Sequence, residues 1–473
     1  MCIADLDLSV DAPMLKAFAK HKATTCKILL SESADNLQAA ISEFQKYDLG
    51  DLAYDDTEIS NRLCDAAFWL RRMRRKTVQI VAQIERAVNQ VSKRKAIYCG
   101  DASFAHFKHS QYLSEQFMQS TYLENEDGLS IPLSEVAAHT VSNPAIRRAE
   151  LMVRIRGFEE VAKHCGHAAV FTTLTTPSRM HATHSNGTAN PKYDGSSVTD
   201  AQDYLNHVWQ LMRAKLDRSN IKPYGFRVVE PHHDGTPHWH LLLFMPSEAV
   251  TDFKRICSGY ALLDSPDEKG AKDYRVNYVD IDASKGSAAG YIAKYVAKNI
   301  DGFALDTDRH GVQAIDAAQR TSAWARANNI RQFQQIGGPS VTVWRELRRL
   351  RGCETPFNDL NDSFHAADSA NWAAFCFAMN AVNTKRSEHR IAPYYAIKES
   401  EAIDYLSGEI TLSNLNKYGE QRKASVTGLT FRDFSFSTRL QKWRVQRKPP
   451  SRDGSPPLGG VPSSEVAILD LCK

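Results

Sequence analysis

The chain has 473 residues, with 59 lysines and arginines against 55 aspartates and glutamates, for a formal net charge of +4. That length allows two or three domains with buried cores, and so small a charge does not by itself identify a nucleic-acid partner. No run of about 18 apolar residues occurs, so no membrane-spanning helix is expected. The Asp and Lys residues near the start argue against a secretion signal, and nine cysteines without a Cys-x-x-Cys pair suit a reducing cytoplasm.

Residues 1 to about 60 read as an irregular or loosely helical lead-in. A stronger helix is expected over 61–94, where Phe68, Trp69, Ile80, Val81, Ile84 and Val88 form apolar stripes. Inside it Arg71, Arg72, Arg74, Arg75 and Lys76 form a basic run, either a solvated helical face or a contact for DNA phosphates. A helix over 142–162 opens on Ser142-Asn143-Pro144 and carries Arg147, Arg148, Arg154 and Arg156, a second candidate edge for phosphates. From about residue 167 the texture changes. A β-run over 168–175 stops at Pro177, and an amphipathic helix over 199–218 turns Leu205, Val208, Leu211, Met212 and Leu216 inward. A hairpin spans 227–244, followed by a helical segment near 247–258, an alternating strand over 274–281 and a helix over 286–298. This order suggests an α+β layer, one mainly antiparallel sheet with helices on one face. Residues 330–351 hold a Gly337-Gly338-Pro339 break before a basic helix, 353–443 read as helical or mixed, and 448–457 as a disordered linker. No internal repeat and no phosphate-binding Gly-x4-Gly-Lys-[Ser/Thr] loop occurs, so nothing argues for nucleotide hydrolysis.

Two motifs carry chemistry. In the hairpin, side-chain alternation puts His238 and His240 on one face with Trp239 on the other, and folding back at Asp234-Gly235 brings Glu230 near the pair. Two imidazoles and a carboxylate suit a divalent metal with coordination positions left open, whereas two histidines alone would more simply be half-buried strand residues. Asp234 is read as serving the turn, and His232 or His233 could replace Glu230 as third ligand. In the 286–298 helix, Tyr291, Lys294, Tyr295 and Lys298 fall within an arc of roughly 100°, opposite Ile292, Ala293, Val296, Ala297 and Ile300. The aliphatic face supplies the packing, which frees the tyrosines for another task. A phenolate can attack a phosphodiester, and because free tyrosine ionises near pH 10, neighbouring cations such as Lys294 and Lys298 would have to help.

The combination of His238-Trp239-His240 with Tyr291-x3-Tyr295 resembles the HUH endonuclease superfamily, in which a His-hydrophobic-His strand binds metal beneath a tyrosine-bearing helix. The likeness is closer still to the replication gene A proteins of temperate tailed phages, which initiate rolling-circle replication. It rests on residues 142–157, 171–177, 230–240, 291–295 and 331–338. The resemblance implies an α+β HUH nuclease core over 136–352, with a central, mainly antiparallel five-stranded sheet flanked by helices and residues 171–175 in a central strand beside the histidine strand. Around it are expected a helical N-terminal region with a basic patch (1–135), a helical or mixed C-terminal region (353–445) and a disordered tail (446–473). The working metal it implies is Mg2+ or Mn2+, held by His238, His240 and Glu230, although these donors would also suit zinc.

The activity expected from this is site-specific nicking and rejoining of DNA in a bacterial host cytoplasm. Tyr291 or Tyr295 would attack origin DNA, single-stranded or locally melted, leaving a 5′-phosphotyrosyl link and a free 3′-OH, with Lys294 and Lys298 assisting. Spacing by one helical turn lets both tyrosines reach one metal site, so the second could resolve the link made by the first. With no helicase motif in the chain, a host replicative helicase is the expected partner. Rival readings are a transposase or relaxase of the same superfamily, a non-catalytic DNA-binding protein, and a small-molecule metallohydrolase. The tyrosine lies about 50 residues after the histidines in a long chain, unlike most relaxases and transposases, and a metallohydrolase gives two tyrosines no role.

Overall fold

The computed structural model describes residues 13–447 except 283, 285, 305, 308–310, 353–356, 381, 383, 398 and 404–409. The expected linker over 448–457 and the rest of the tail to 473 lie outside the described residues. The chain divides into two compact units, residues 1–84 with 395–427, and residues 85–394 with 428–473.

The first unit corrects the reading of residues 1–60. Helices Pro13–Glu32, Leu37–Gln45 and Asp56–Leu63 precede the start of Ala66–Ala87. They close over a core of Ala19, Ala23, Cys26, Phe44, Leu63, Phe68 and Trp69. Three of those positions are small, so the inward stripe is faint in the sequence, and large aromatic partners from other helices complete it. The long helix expected over 61–94 is broken after Leu63, where Asp65 accepts a hydrogen bond from the Ala67 amide at 3.0 Å. The basic run is largely committed within this unit. Arg71 donates to the Tyr418 hydroxyl at 3.0 Å, Arg72 to the Leu49 and Asp51 carbonyls at 3.3 Å each, and Lys76 pairs with Asp48.

The second unit is built on one five-stranded sheet, ordered Val276–Asp280, His167–Thr175, Pro237–Pro246, Tyr224–Pro231, Phe333–Ile336, with every neighbouring pair antiparallel. The expected central strand over 171–175 does lie beside the histidine strand. Helices cover both faces, not one. Phe171, Phe226, Val228, Leu242 and Phe244 pack with helices Pro144–Cys165 and Ala288–Ile300. Val170, Leu174, Val229, Trp239, Leu241, Leu243 and Met245 pack with Val198–Arg218 and Val250–Ala261. The strands Tyr224–Pro231 and Pro237–Pro246 are buried almost throughout, as strands must be when both their faces are covered. Gly225 sits where a Cβ would lie 2.0 Å from the Leu242 carbonyl oxygen, so this strand approaches its partner too closely for any other residue.

Local signals start the helices, as Ser142-Asn143-Pro144 suggested for the first of them. Asn143 accepts from the Ala145 amide at 2.9 Å with Pro144 at the first helical position, and Ser197 forms a capping box with Asp200. The helix Pro144–Cys165 departs from expectation in its charges. Arg148 donates to Asp301 at 3.0 Å, and buried Arg154 lies 3.4 Å from Glu150 with its guanidinium over Phe226, leaving Arg147 and Arg156 as its exposed arginines.

The stretch expected to be helical or mixed after residue 353 is mixed. After helices Asn361–Asp368 and Trp372–Ala378 come several strands, and Trp443–Arg447 pairs antiparallel with Thr121–Asn125. Periodicity within either stretch cannot announce a pairing across more than three hundred residues.

Candidate metal and tyrosine site

The hairpin closes through a five-residue loop in which the His232 amide donates to the Thr236 carbonyl at 2.7 Å and Gly235 takes φ 78°. Its register sets Glu230 directly opposite His238 and Val228 opposite His240. On the other side Thr173 faces His240 and Thr175 faces His238. Opposed residues in an antiparallel pair project to the same side, so Glu230, His238 and His240 share one face. All three are buried, and their ligand atoms lie within 4.8 Å of one another. Glu230 Oε2 is 3.5 Å from His240 Nε2 and 3.9 Å from His238 Nε2.

A buried carboxylate needs compensation. Burial alone would raise the proton affinity of Glu230, but Lys298, His240 and Asn299 together hold its pKa at about 2. Lys298 Nζ is 3.4 Å from Oε2, and the Asn299 amide donates to Oε1 while also donating to the Tyr295 carbonyl at 2.7 Å. Gln332 donates in turn to Asn299 Oδ1 at 3.4 Å. The Thr173 hydroxyl lies 3.1 Å from His240 Nδ1, which leaves Nε2 facing Glu230. An ionised carboxylate and an imidazole already oriented through its second nitrogen are what a divalent cation requires of its ligands, so these residues fit such an ion. The donor set suits zinc as well as magnesium or manganese.

The tyrosine helix Ala288–Ile300 begins at Ser287, whose side chain accepts from the Gly290 amide, and buries Ile292, Val296 and Ala297. Its tyrosines are inequivalent. Tyr295 is half-buried, its ring centroid 4.1 Å from that of His240 and 5.3 Å from Phe171, against which it stacks. Tyr291 is 38% exposed and meets Phe171 edge-on at 4.9 Å. Lys294 Nζ stands 5.3 Å from the Tyr291 ring centroid and 4.9 Å from that of Tyr295. Lys298, one turn further, faces Glu230 and the ring of Tyr98.

The remaining hairpin histidines have other surroundings. His233 Nε2 lies 2.7 Å from the His184 carbonyl oxygen, whereas the His232 ring is tilted by 31° against that of His238, with centroids 4.0 Å apart. Asp234 is fully buried and ties the loop to distant chain. It accepts from the amides of Thr236 and Ala182, and Arg86 donates to its carbonyl at 3.1 Å and to the Thr236 hydroxyl at 2.7 Å. Sequence reasoning missed Thr173, Asn299, Gln332 and Arg86. A signal existed for two of them. Thr173 alternates with Phe171 on a strand beside the histidines, and Asn299 lies one helical turn beyond Tyr295.

A family model described as bacteriophage replication gene A protein matches residues 7–303, a stretch that takes in every proposed ligand and both tyrosines. The chain belongs to that family. It is 39% identical to a replication protein of Haemophilus phage HP1 over 398 residues, 82% of this chain and 49% of the relative. To the replication gene A protein of Escherichia phage 186 it is 37% identical over 440 residues, 87% of this chain and 61% of the relative. It is also 33% identical to a probable replication endonuclease from a prophage-like region of Salmonella paratyphi A, over 72% of this chain and 45% of the relative. The chain thus spans between 45% and 61% of the length of these relatives. No solved structure matches it.

Proposed function

We propose that the protein is a replication-initiating DNA endonuclease of the HUH type, which nicks and rejoins one strand of phage or prophage origin DNA through a 5′-phosphotyrosyl intermediate. The observation that carries this reading is the contact of Tyr295 with His240, which sets a nucleophilic side chain against a cluster fit for a metal. The family and the replication endonuclease named among the relatives support it. The catalytic core is assigned to residues 136–352.

Glu230, His238 and His240 would hold one Mg2+ or Mn2+ ion, with Thr173 and Asn299 fixing the orientation of two of these ligands. A bound ion would supply Lewis-acid polarisation of the scissile phosphate. The chain's own residues then do the following. A tyrosine Oη attacks phosphorus in line as its proton passes to solvent, and Lys294 stabilises the developing phenolate charge. The bond from phosphorus to the 3′ oxygen breaks, and that oxygen leaves with a proton as a free 3′-OH able to prime synthesis. The 5′ phosphate stays esterified to the enzyme, so the bond energy is kept for rejoining. After one round the other tyrosine cleaves the regenerated origin, and the new 3′-OH attacks the first link. Lys298 serves by neutralising Glu230 from the helix side. Among the described residues no helix is long and apolar enough to cross a membrane, and the proposed setting is the bacterial host cytoplasm with a host helicase unwinding from the nick.

The test is a denaturing gel of the protein incubated with single-stranded origin DNA and Mg2+ or Mn2+. The wild type should form a covalent adduct, and the double variant Tyr291→Phe with Tyr295→Phe should form none. Adduct retained by the double variant would sink the assignment, and DNA binding without adduct by the wild type would leave a non-catalytic DNA-binding protein.

A further inference from the structure

The helix Pro144–Cys165 treats its arginines unequally. Arg148 and Arg154 have carboxylate partners in Asp301 and Glu150, and Arg345 of a neighbouring helix also lies 2.7 Å from Glu150. Arg147 has no carboxylate within ion-pair distance among the described residues. Its guanidinium instead lies 5.3 Å from the ring of Phe333, on the edge strand Phe333–Ile336. Two further arginines, one close enough to Arg147 for its charge to act there and one just before the strand, likewise have no carboxylate within ion-pair distance among the described residues. Arg326 is exposed, with its guanidinium 5.4 Å from the Phe107 ring, and Arg331 is exposed two residues before Phe333. Partial loss of water, with the charge of Arg326 adding to it, holds Arg147 below the ordinary arginine range. In the same way burial and the charge of Arg331 lower Arg227. Guanidinium groups gathered without counter-charge repel one another, and a bound polyanion relieves that repulsion.

The position of the group matters as much as its charge. Phe333 is directly opposite Val228, which is directly opposite His240. The three therefore lie in one row across the sheet, on the face that carries the metal ligands. At the usual strand spacing, the Phe333 backbone is about 10 Å from that of His240. We propose that Arg147, Arg326 and Arg331 form a phosphate-binding subsite for the single strand that flanks the scissile phosphate, running across the sheet from the tyrosine helix towards its Phe333 edge. This rests on the reading of the tyrosine site as acting on single-stranded DNA. Arginine suits the task because its planar fork grips phosphate oxygens while its face lies on an aromatic ring.

The experiment measures binding of a fluorescent oligothymidine by anisotropy across a salt series, for the wild type, Arg147→Gln, Arg326→Gln, Arg331→Gln and the triple variant. Each lost phosphate contact should reduce the slope of log affinity against log salt by about 0.7, so the triple variant should lose about 2. Arg331→Lys should keep the wild-type slope, and Arg71→Gln, whose guanidinium is held by Tyr418, should do the same. Arg331 makes no side-chain bond among the described residues, so its variant tests the subsite even if Arg147→Gln proves unstable. Unchanged slopes in all three single variants, in a wild type that still forms the covalent adduct, would overturn this subsite and leave the endonuclease reading standing. An equal loss in Arg71→Gln would also overturn it, because the charge effect would not be local to the edge strand. A wild type that neither binds the oligothymidine nor forms an adduct would overturn both.

Discussion

The two faces of the central sheet share the same strands and do opposite work. Along Pro237–Pro246, His238, His240, Leu242 and Phe244 turn towards the tyrosine helix, while Trp239, Leu241, Leu243 and Met245 turn towards helices Val198–Arg218 and Val250–Ala261. The second face is apolar along its length. Among its polar groups the Trp239 indole donates to Gln202 at 3.1 Å, with the Arg227 guanidinium 4.0 Å from its ring. The first face changes character along the strand. At its Phe244 end it is ordinary core, and at its His238 end it buries a carboxylate and two imidazoles beside a lysine. Alternation with period two therefore separates a mainly apolar surface from the candidate metal site within one strand, because the apolar face can anchor the strand while its neighbour carries groups that disfavour burial.

Substitutions on the two faces should separate these roles. The largest effect is expected at Glu230. Glu230→Gln should abolish metal-dependent adduct formation and remove metal binding in a calorimetric titration, while oligothymidine binding persists. On the opposite face, Leu243→Ala should cost about 2–5 kcal/mol in urea unfolding, as for other fully buried leucines, with the metal affinity of the folded fraction kept. A loss of metal affinity in that variant would mean that the faces are not independent. A smaller change is expected at Thr173, whose hydroxyl holds His240. Thr173→Val should weaken metal binding by about 10–100-fold, and Thr173→Ser should restore it. An equal loss in the serine variant would show that methyl packing, not the hydrogen bond, is what matters.

The smallest effect concerns the hairpin tip that joins the two strands. Burial would raise the Asp234 carboxyl, but His181, Arg86 and His232 hold it well below the usual carboxylate range. A folded pKa below the unfolded value near about 4 gives stability that is full above that value. It is lost as the pH falls through that value towards the folded one. The urea midpoint of the wild type should therefore fall as acid is added from about pH 5, whereas Asp234→Asn, weaker at neutral pH, should fall less over the same interval. Parallel curves would remove Asp234 from the account.

What could be read without a structure was local. His238 and His240 declare a shared face because a strand repeats every two residues, and Tyr291 and Tyr295 declare theirs because a helix repeats every 3.6. The five-stranded antiparallel sheet and its central strand followed from the family likeness, and both are present. Depth and support were not local. Thr173 and His240 are 67 residues apart, Glu230 and Asn299 are 69, and Arg86 and the Asp234 carbonyl are 148. No periodicity joins such pairs. The helices on the second face, the compact helical core of the first unit and the inward commitment of Arg71, Arg72 and Arg154 belong to the same class. Whether an arginine meets a carboxylate or waits for a phosphate depends on which distant segment packs beside it. The sequence by itself determined which residues can bind a metal or attack a phosphate, since that is a property of side-chain chemistry and of short-range repeat. Only the tertiary structure decided that Glu230 is buried yet ionised, that Tyr295 lies on His240 while Tyr291 faces out, and that Arg147, Arg326 and Arg331 have no carboxylate within ion-pair distance among the described residues. Each of those depends on burial and on neighbours brought together by the fold.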